Sequence, residues 1–264
     1  MNYYQDYLRN LGFMFEVHLT EHCNLNCKGC SHFSPLANKE FMDIAIFEKD
    51  MAQMFQLLDK HDIRRIRLLG GEPLLHSQVN EFMEIAANYF PDTRREIVTN
   101  GLLLLNMPES FWETCRTTKT SIHVSRYPVN LDFKEMENVA LEHGIEIVIY
   151  ASNFRMDSYD MDGSQDGELS HSTCGLFGYC CQLNNGRFYP CSISAYFHHF
   201  NRYFDLKIPF SNDNFIDIYK AQSKNEFYQL IITPIPFCRY CNIKARRHCV
   251  KWEHSKKQIS EWYE

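Results

Sequence analysis

The chain has 264 residues, of which 45% are hydrophobic and 23% are charged, and its formal net charge is −6. This composition is typical of a globular protein, and the negative balance gives no reason to expect nucleic acid or an acidic membrane surface as a partner. No run of about 18 apolar residues predicts a transmembrane helix. The start, MNYYQDYLRNLGF, lacks the basic and apolar regions of a signal peptide. We therefore expect a cytoplasmic protein.

Short β-rich runs alternate with amphipathic stretches over the first half of the chain. The runs predict five strands, at 14–20, 63–69, 95–100, 120–126 and 145–152. The stretches between them predict four helices, at 43–61, 77–90, 107–116 and 131–144. This alternation predicts parallel strands, which are too few to close an eight-stranded barrel. We expect an open, partial TIM-like barrel of about five parallel strands with outer helices, or a doubly wound sheet. In both folds, ligands bind at the carboxyl ends of the strands.

The pattern changes after residue 152. Residues 153–172 predict a long polar loop, and residues 182–193 predict a hairpin that turns at Asn185-Gly186. Residues 214–232 and the C-terminal stretch 250–264 predict helices. We therefore divide the chain into a partial-barrel domain at 1–152 and a small cysteine-rich extension at 153–264 that ends in a helix.

Cysteine is used in clusters. The chain has 11 cysteines, and nine of them fall into three groups: 23, 27 and 30; 174, 180, 181 and 191; 238 and 241. In a reducing compartment, clustered cysteines bind metal more often than they form disulfides. The first group follows the first strand and supplies three thiolates, which would leave one iron of a [4Fe–4S] cluster open to a cofactor or substrate. A zinc site that borrows His22 or His32 as a fourth ligand is the alternative.

Cys23-x3-Cys27-x2-Cys30 after the first strand resembles the motif of the radical S-adenosylmethionine (SAM) superfamily. Further matches follow the next three strands: Gly70-Gly71-Glu72-Pro73, Thr99-Asn100-Gly101 and Ser125. The resemblance implies that Cys23, Cys27 and Cys30 hold a [4Fe–4S] cluster whose open iron binds SAM, and that reductive cleavage gives a 5′-deoxyadenosyl radical.

The same resemblance implies the SAM contacts. The backbone carbonyls of Gly70, Gly71 and Glu72 would accept from the SAM ammonium, and Asn100 and Ser125 would contact its ribose or carboxylate. One position departs from the family pattern: a glycine, Gly29, stands where the family has an aromatic or bulky residue near the adenine. His32 and Phe33 are candidates to replace it.

The later cysteines resemble the Twitch or SPASM extension of radical SAM enzymes. The resemblance implies a second, auxiliary [4Fe–4S] cluster held by Cys174, Cys191, Cys238 and Cys241, with Cys180 or Cys181 as alternatives to Cys174. Only Cys249 follows the last pair, which favours one auxiliary cluster over two. A structural zinc knuckle, which uses the same ligand types, is the alternative to an auxiliary cluster.

A single auxiliary cluster after a truncated barrel is similar to the Twitch-type SAM dehydrogenases. This similarity implies two-electron oxidation of an alcohol on a sugar-like or phosphate-bearing small molecule, with the auxiliary cluster as electron acceptor and a flavodoxin- or ferredoxin-type donor. Arg155 and His123 are candidate catalytic residues. Arg155 could instead be a surface arginine in a loop, and His123 could instead be a core histidine whose hydrogen bonds are satisfied. The alternatives are a peptide-modifying maturase that forms thioether or carbon–carbon crosslinks, a radical epimerase, and a non-catalytic iron–sulfur or zinc protein.

Overall fold

A parallel sheet forms the first half of the protein, whose computed structural model describes residues 11–150, 154–175 and 178–263. The strands are β1 (Phe13–Thr20), β2 (Ile63–Gly70), β3 (Arg94–Thr99), β4 (Thr120–Ser125) and β5 (Ile147–Tyr150). They pair in parallel in the order β5-β4-β3-β2-β1. The predicted strands are thus confirmed, except that residues 151 and 152 of the fifth prediction lie outside the described residues.

Four helices alternate with these strands: α1 (Ile44–Leu57), α2 (Val79–Tyr89), α3 (Glu109–Thr117) and α4 (Phe133–Glu142). Asp43 begins α1, because its carboxylate accepts from the backbone N–H groups of residues 45 and 46, a cap that contributes about 1 kcal/mol. Asp132 caps α4 in the same way. None of the described helices is long and apolar enough to cross a membrane.

The central strand β1 is buried along its whole length and separates two environments. Phe15, Val17 and Leu19 belong to the main hydrophobic core, whereas Glu16 and His18 lie between them and are also buried. Because side chains alternate across a strand, the even-numbered residues share the opposite face. The sheet therefore has one apolar face and one face that carries polar groups.

The second half of the chain extends the same sheet. Its elements are β6 (Phe154–Met156), α5 (Gly167–Cys174), β7 (Cys181–Asn184), β8 (Arg187–Tyr189), α6 (Ser192–Tyr203), β9 (Ile216–Asp217), α7 (Lys224–Ile232) and β10 (Arg247–Val250). β7 pairs in parallel with β1, and β8 and β9 follow antiparallel, which gives an open sheet of eight strands without barrel closure. The predicted hairpin turn is confirmed: Asn185 and Gly186 have φ values of 48° and 74°, as a tight hairpin requires.

Three predictions for the second half are wrong in part. β6 and α5 form within the predicted loop at 153–172, and only residues 224–232 of the predicted helix at 214–232 are helical. The C-terminal stretch 250–264 forms no α-helix in its described part. Its backbone instead bonds to the loop that carries the first cysteines: Lys28 N–H donates to Glu253 O (3.0 Å), and Ser255 N–H donates to Asn26 O (2.9 Å). These partners replace the intrahelical bonds that a helix would need.

The core also continues across the predicted domain boundary. Cys181, Phe188 and Ile231 pack in the main core with residues of the first half. A second hydrophobic cluster joins Phe33 to Tyr196 and Trp262. The boundary itself, at residues 152 and 153, lies outside the described residues.

Candidate functional site

One cavity at the carboxyl ends of the strands collects the predicted motif residues. It has a volume of about 340 Å³, and Cys23, Cys27 and Cys30 all line it. We call it the first cavity. Its lining also includes the residues that follow or end β2, β3 and β4: Gly70, Gly71, Asn100 and Ser125. Parallel strands place their carboxyl ends at one edge of a sheet, and the four motifs meet there.

The three thiols lie where a bare thiolate is unstable. Burial raises the pKa of the Cys23 and Cys27 thiols to about 12, and repulsion from neighbouring thiolates adds to the rise at these two. Burial also raises the pKa of Cys30. Backbone N–H groups of residues 32–34 surround the Cys30 sulfur and oppose the rise in its pKa. Thiolate ligands therefore need a cationic group beside them here, and the donor set fits an iron–sulfur cluster.

The C-terminal segment forms one wall of the first cavity. Trp252 lies beside Cys27, and its indole N–H together with the Tyr127 hydroxyl opposes the rise in the Cys27 pKa. The indole nitrogen is buried and has no hydrogen bond of normal geometry to the described residues. The Trp262 indole N–H donates to the Cys30 carbonyl at 3.0 Å. The Trp252 indole N–H, which lies next to the thiols, is therefore available to donate to a sulfur-rich group.

Gly70 and Gly71 bring the end of β2 against the cysteine loop. A Cβ at Gly70 would overlap the Thr20 carbonyl oxygen, and one at Gly71 would overlap the His22 carbonyl and lie 2.8 Å from the Cys23 nitrogen. Gly70 also has a φ of 148°, which side chains rarely adopt. Gly71 N–H donates to Thr20 O at 2.8 Å. The glycine pair thus fixes the position of the backbone that precedes Cys23.

Glu72 lies behind the cavity and does not line it. The carboxylate is fully buried and accepts from Thr99 Oγ1 at 2.6 Å, the Asn100 backbone N–H at 2.8 Å and the Leu74 N–H at 3.2 Å. Burial raises its pKa to about 7, and these hydrogen bonds oppose the rise. Its backbone carbonyl accepts from the Thr20 hydroxyl at 2.9 Å. Glu72 therefore holds the loops after β2 and β3 together.

Asn100 connects that clamp to the first cysteine. Its side-chain amide donates to Asn24 Oδ1 at 2.7 Å and lies 3.5 Å from the Cys23 sulfur. Its carbonyl oxygen accepts from the Leu102 N–H at 3.0 Å. The amide is therefore oriented on both sides at the rim of the first cavity.

The two candidate catalytic residues lie in different places. Arg155 lines the first cavity, and its guanidinium pairs with Asp157 at 3.0 Å. His123 does not line it. The His123 ring bonds to the Tyr150 hydroxyl at 2.6 Å and lies 3.4 Å from Glu96, and burial lowers its pKa to about 4. The geometry makes His123 a satisfied core histidine.

A chain of hydrogen-bonded side chains, which the sequence analysis did not assign, starts at the first cavity. His32 lines the cavity, and its Nδ1 is 2.7 Å from His18 Nε2. His18 Nδ1 is 3.1 Å from Glu21 Oε2, which also accepts from His199 Nε2 at 2.9 Å. The network thereby fixes the orientation of the His32 ring. The one signal in the sequence that could have indicated it is a histidine, His18, at a position of β1 between apolar residues.

The space beside Gly29 is taken by a methionine. Gly29 has a φ of 64°, and a Cβ there would lie 2.8 Å from Met156 Cε. Met156 lines the first cavity. His32, one of the two predicted replacements for a bulky residue, lines the cavity, whereas Phe33 packs in the second hydrophobic cluster and does not.

A second cavity is lined by the four cysteines of the predicted auxiliary site: Cys174, Cys191, Cys238 and Cys241. Burial raises the pKa of Cys238 to about 12 and raises those of Cys191 and Cys241. Apolar side chains of Ile193, Ile231, Ile235 and Phe237 make up much of the remaining wall. Cys191 caps α6, where the helix N-terminus favours a thiolate. Buried thiols that cannot ionise alone, in an apolar wall, fit a group that brings its own positive charge.

The remaining cysteines line neither cavity, and Cys115 packs in the main core. Cys181 packs in the main core. Cys180 is half-buried, and desolvation raises the pKa of its thiol, to which the nearby Cys191 and Cys174 add. Cys249 is exposed on β10. Among the described residues, no three His, Cys, Asp or Glu side chains are grouped as the ligands of a metal ion.

Known proteins share parts of this chain. The family described as "4Fe-4S single cluster domain" matches residues 12–124. The chain is 32% identical over 99 residues to the GTP 3′,8-cyclase of Sulfurimonas denitrificans, a match that covers 38% of this chain and 28% of the cyclase. A match to the GTP 3′,8-cyclase of Syntrophomonas wolfei is 31% identical over 101 residues and covers 38% and 30%. The chain thus spans less than a third of the length of these relatives.

Among solved structures, BtrN in complex with AdoMet and 2-DOIA is similar, with a TM-score of 0.56 and 18% identity over 88% of this chain and 93% of that chain. BtrN in an open conformation has a TM-score of 0.51 and 17% identity over 88% and 92%. At these identities the similarity concerns the fold, and its coverage extends well beyond the parallel strands into the second half of the chain.

Proposed function

Since the chain belongs to the radical SAM superfamily, we propose that it oxidises an alcohol on a sugar-like small molecule by two electrons. The observation that carries the proposal is the pair of cysteine-lined cavities. One lies at the strand ends, has both polar and apolar walls and is lined by three thiols, and the other is largely apolar and lined by four. Three thiolates suit a cluster with an open iron, and four suit a closed one.

In the first cavity, Cys23, Cys27 and Cys30 would hold a [4Fe–4S] cluster. The Gly70 and Gly71 carbonyls, Asn100 and Ser125 would bind SAM, because they line the same cavity. When bound, these groups supply a 5′-deoxyadenosyl radical that takes a hydrogen atom, and the auxiliary cluster at Cys174, Cys191, Cys238 and Cys241 supplies an acceptor for the electron released next. A flavodoxin- or ferredoxin-type protein is the proposed donor for the first cluster. In this proposal, residues 1–152 carry the SAM chemistry and residues 153–264 the auxiliary cluster.

The cavity suits a small polar substrate. A volume of about 340 Å³ falls at the lower end of the range of small-molecule sites, roughly 300–1,000 Å³, and the cluster and SAM would share it, which leaves room only for a small substrate. Most of its charged side chains have a partner of opposite charge: Arg67 pairs with Glu16 at 3.5 Å, Lys28 with Glu253 at 2.7 Å, and Arg155 with Asp157, which lies outside the lining. Paired charges leave hydrogen-bonding capacity with little net charge, which favours a hydroxyl-rich ligand.

Arg155 is the residue proposed to orient the reacting hydroxyl. A guanidinium stays charged and presents several donors, so it stabilises the oxygen as a ketone forms from the alcohol. The conversion removes one hydrogen atom, one proton and one electron in all. BtrN, which was solved with AdoMet and 2-DOIA bound, shares the fold that places these residues together, and this supports the proposal.

The test is an anaerobic assay of the reconstituted protein with SAM, dithionite and a panel of polyols deuterated at each carbinol carbon. We expect 5′-deoxyadenosine from the parent protein, deuterium transfer into it, and a ketone product with one polyol. Cys30→Ala should abolish 5′-deoxyadenosine, whereas Cys249→Ala is the matched control because that thiol is exposed and lines neither cavity. An inverted alcohol as product would replace oxidation with epimerisation. Turnover of a peptide but of no polyol would exclude a small-molecule substrate.

A further inference from the structure

A buried ionic bridge joins the two cavities. The Asp157 carboxylate is 5% exposed and lies between two guanidinium groups. Its Oδ2 is 3.0 Å from Arg155 Nη2, and its Oδ1 is 2.7 Å from Arg246 Nε. Arg155 lines the first cavity and Arg246 lines the second. One carboxylate thus holds a cation at each site.

Arg246 is fixed directly on a cysteine of the second cavity. Its Nη1 donates to the Cys174 carbonyl oxygen at 2.9 Å, and its Nη2 lies 3.8 Å from the Cys174 sulfur. The side chain is only 6% exposed, so water screens its charge weakly. The planar fork of an arginine allows one side of the group to pair with Asp157 while the other side contacts Cys174.

We infer that Arg246 and Asp157 set the reduction potential of the cluster at Cys174 in opposite directions. This inference rests on the proposed function, in which Cys174, Cys191, Cys238 and Cys241 hold an auxiliary [4Fe–4S] cluster. Reduction adds a negative charge, so a cation beside a ligand sulfur raises the potential and an anion lowers it. Arg246 is a positioning residue that makes the cluster a better electron acceptor, and Asp157 moderates this effect.

The bridge also ties this electronic setting to substrate binding. Arg155 is oriented by the same carboxylate that orients Arg246. A substrate that draws Arg155 away from Asp157 would leave the carboxylate paired with Arg246 alone, so Arg246 is more fully neutralised and the potential of the cluster falls. Electron acceptance is thereby favoured while Arg155 stays paired with Asp157.

The test measures the auxiliary cluster alone. Full-length protein with Cys23, Cys27 and Cys30 replaced by alanine keeps only the second thiol set, and its midpoint potential follows from a redox titration monitored by electron paramagnetic resonance. We expect Arg246→Gln to make the potential more negative by at least a tenfold change in the one-electron equilibrium constant, about 59 mV. Asp157→Asn should shift it in the positive direction. Lys244→Gln is the matched control, because it removes an exposed cation two residues away and should leave the potential unchanged.

The possible results distinguish a failure of the proposed auxiliary cluster from a failure of the effect of Arg246 and Asp157 on its reduction potential. If the triple-alanine protein binds no iron, the auxiliary cluster fails and the inference with it. If the cluster is present but Arg246→Gln and Asp157→Asn shift the potential in the same direction, or not at all, the inference alone is overturned. A loss of packing would not give shifts of opposite sign. Should Arg246→Gln fail to retain the cluster, Asp157→Asn still decides the sign, and Arg246→Lys, which keeps the charge but loses the fork, should leave the potential close to that of the parent protein.

Discussion

Replacement of Gly71 by alanine tests how the first cavity is built. The new Cβ would overlap the His22 carbonyl and lie 2.8 Å from the Cys23 nitrogen. Ordinary contact begins at about 3.4 Å, so the Cys23 nitrogen must move away from the new Cβ by about 0.6 Å (3.4 − 2.8). The His22 carbonyl lies closer and must move further. These atoms are backbone, and they cannot move away by a change of rotamer. The displacement therefore reaches Cys23 itself.

The cost follows from the contacts that the shift breaks. Overpacking of this kind costs about 1–3 kcal/mol. The bonds from Gly71 N–H to Thr20 O (2.8 Å) and from Glu72 N–H to His22 O (3.1 Å) contribute about 1 kcal/mol each. We expect Gly71→Ala to lower the free energy of unfolding by about 3–5 kcal/mol.

Urea unfolding and iron analysis of the reconstituted protein measure the two consequences. Gly71→Ala should lose the iron of the first site and retain that of the second. Gly144→Ala is the matched control: its φ is 68°, but a Cβ there meets no atom within 4 Å, so it costs only the strain of about 1–2 kcal/mol. Equal stability and equal iron content in the two variants would refute the packing argument.

Three further predictions concern residues around the site. Burial lowers the pKa of His123 from 6.5 to about 4, so between these pH values the unfolded chain binds a proton that the folded protein does not, and stability is lost as the pH falls from 6.5 towards 4. His123→Asn should reduce this loss by about 1–3 kcal/mol, measured by urea unfolding at pH 7 and pH 5. An unchanged pH dependence of stability would contradict the prediction. Trp262→Phe removes the bond from the indole N–H to Cys30 O (3.0 Å) and should cost about 1 kcal/mol in thermal unfolding, with no loss if the C-terminal segment does not hold the cysteine loop. Asp50→Asn weakens the bonds that the carboxylate accepts from Gly186 N–H (2.8 Å) and the Tyr219 hydroxyl and should cost about 1–2 kcal/mol; Tyr219→Phe, which removes one of the two bonds, should cost less in the same assay.

The parallel half of the fold was predictable because its signals are local. Each strand and helix up to residue 150 is marked by its own periodicity, and parallel order brings the strand ends to one edge. That rule alone places Cys23 beside Gly71, Asn100 and Ser125. The hairpin at Asn185-Gly186 was readable for the same reason, because a two-residue turn carries its own sequence signal.

The second half depends on contacts that no local pattern encodes. β7 joins the sheet because Phe15 pairs with Cys181, 166 positions later. The C-terminal stretch has a helical pattern, but its backbone bonds to residues 26 and 28 outweigh it. Propensity is a weak preference that tertiary partners override.

The site shows the same division. The proposed thiol ligands could be named from their spacing, because a cluster demands particular atoms. The role of the Glu72 side chain could not be predicted, because its buried carboxylate accepts hydrogen bonds from Thr99 and Asn100, which are distant in sequence. The pairing of His32 with His18 also appears only when the loop folds back on β1.

The central claim is that Cys23, Cys27 and Cys30 hold a cluster that binds and cleaves SAM. The most direct measurement combines iron analysis of the anaerobically reconstituted protein with electron paramagnetic resonance before and after SAM is added. The account predicts about eight irons per chain, four for each cluster, a change in the spectrum on addition of SAM, and 5′-deoxyadenosine after reduction. Zinc in place of iron at these three cysteines, or a cluster whose spectrum ignores SAM and yields no 5′-deoxyadenosine, would contradict it.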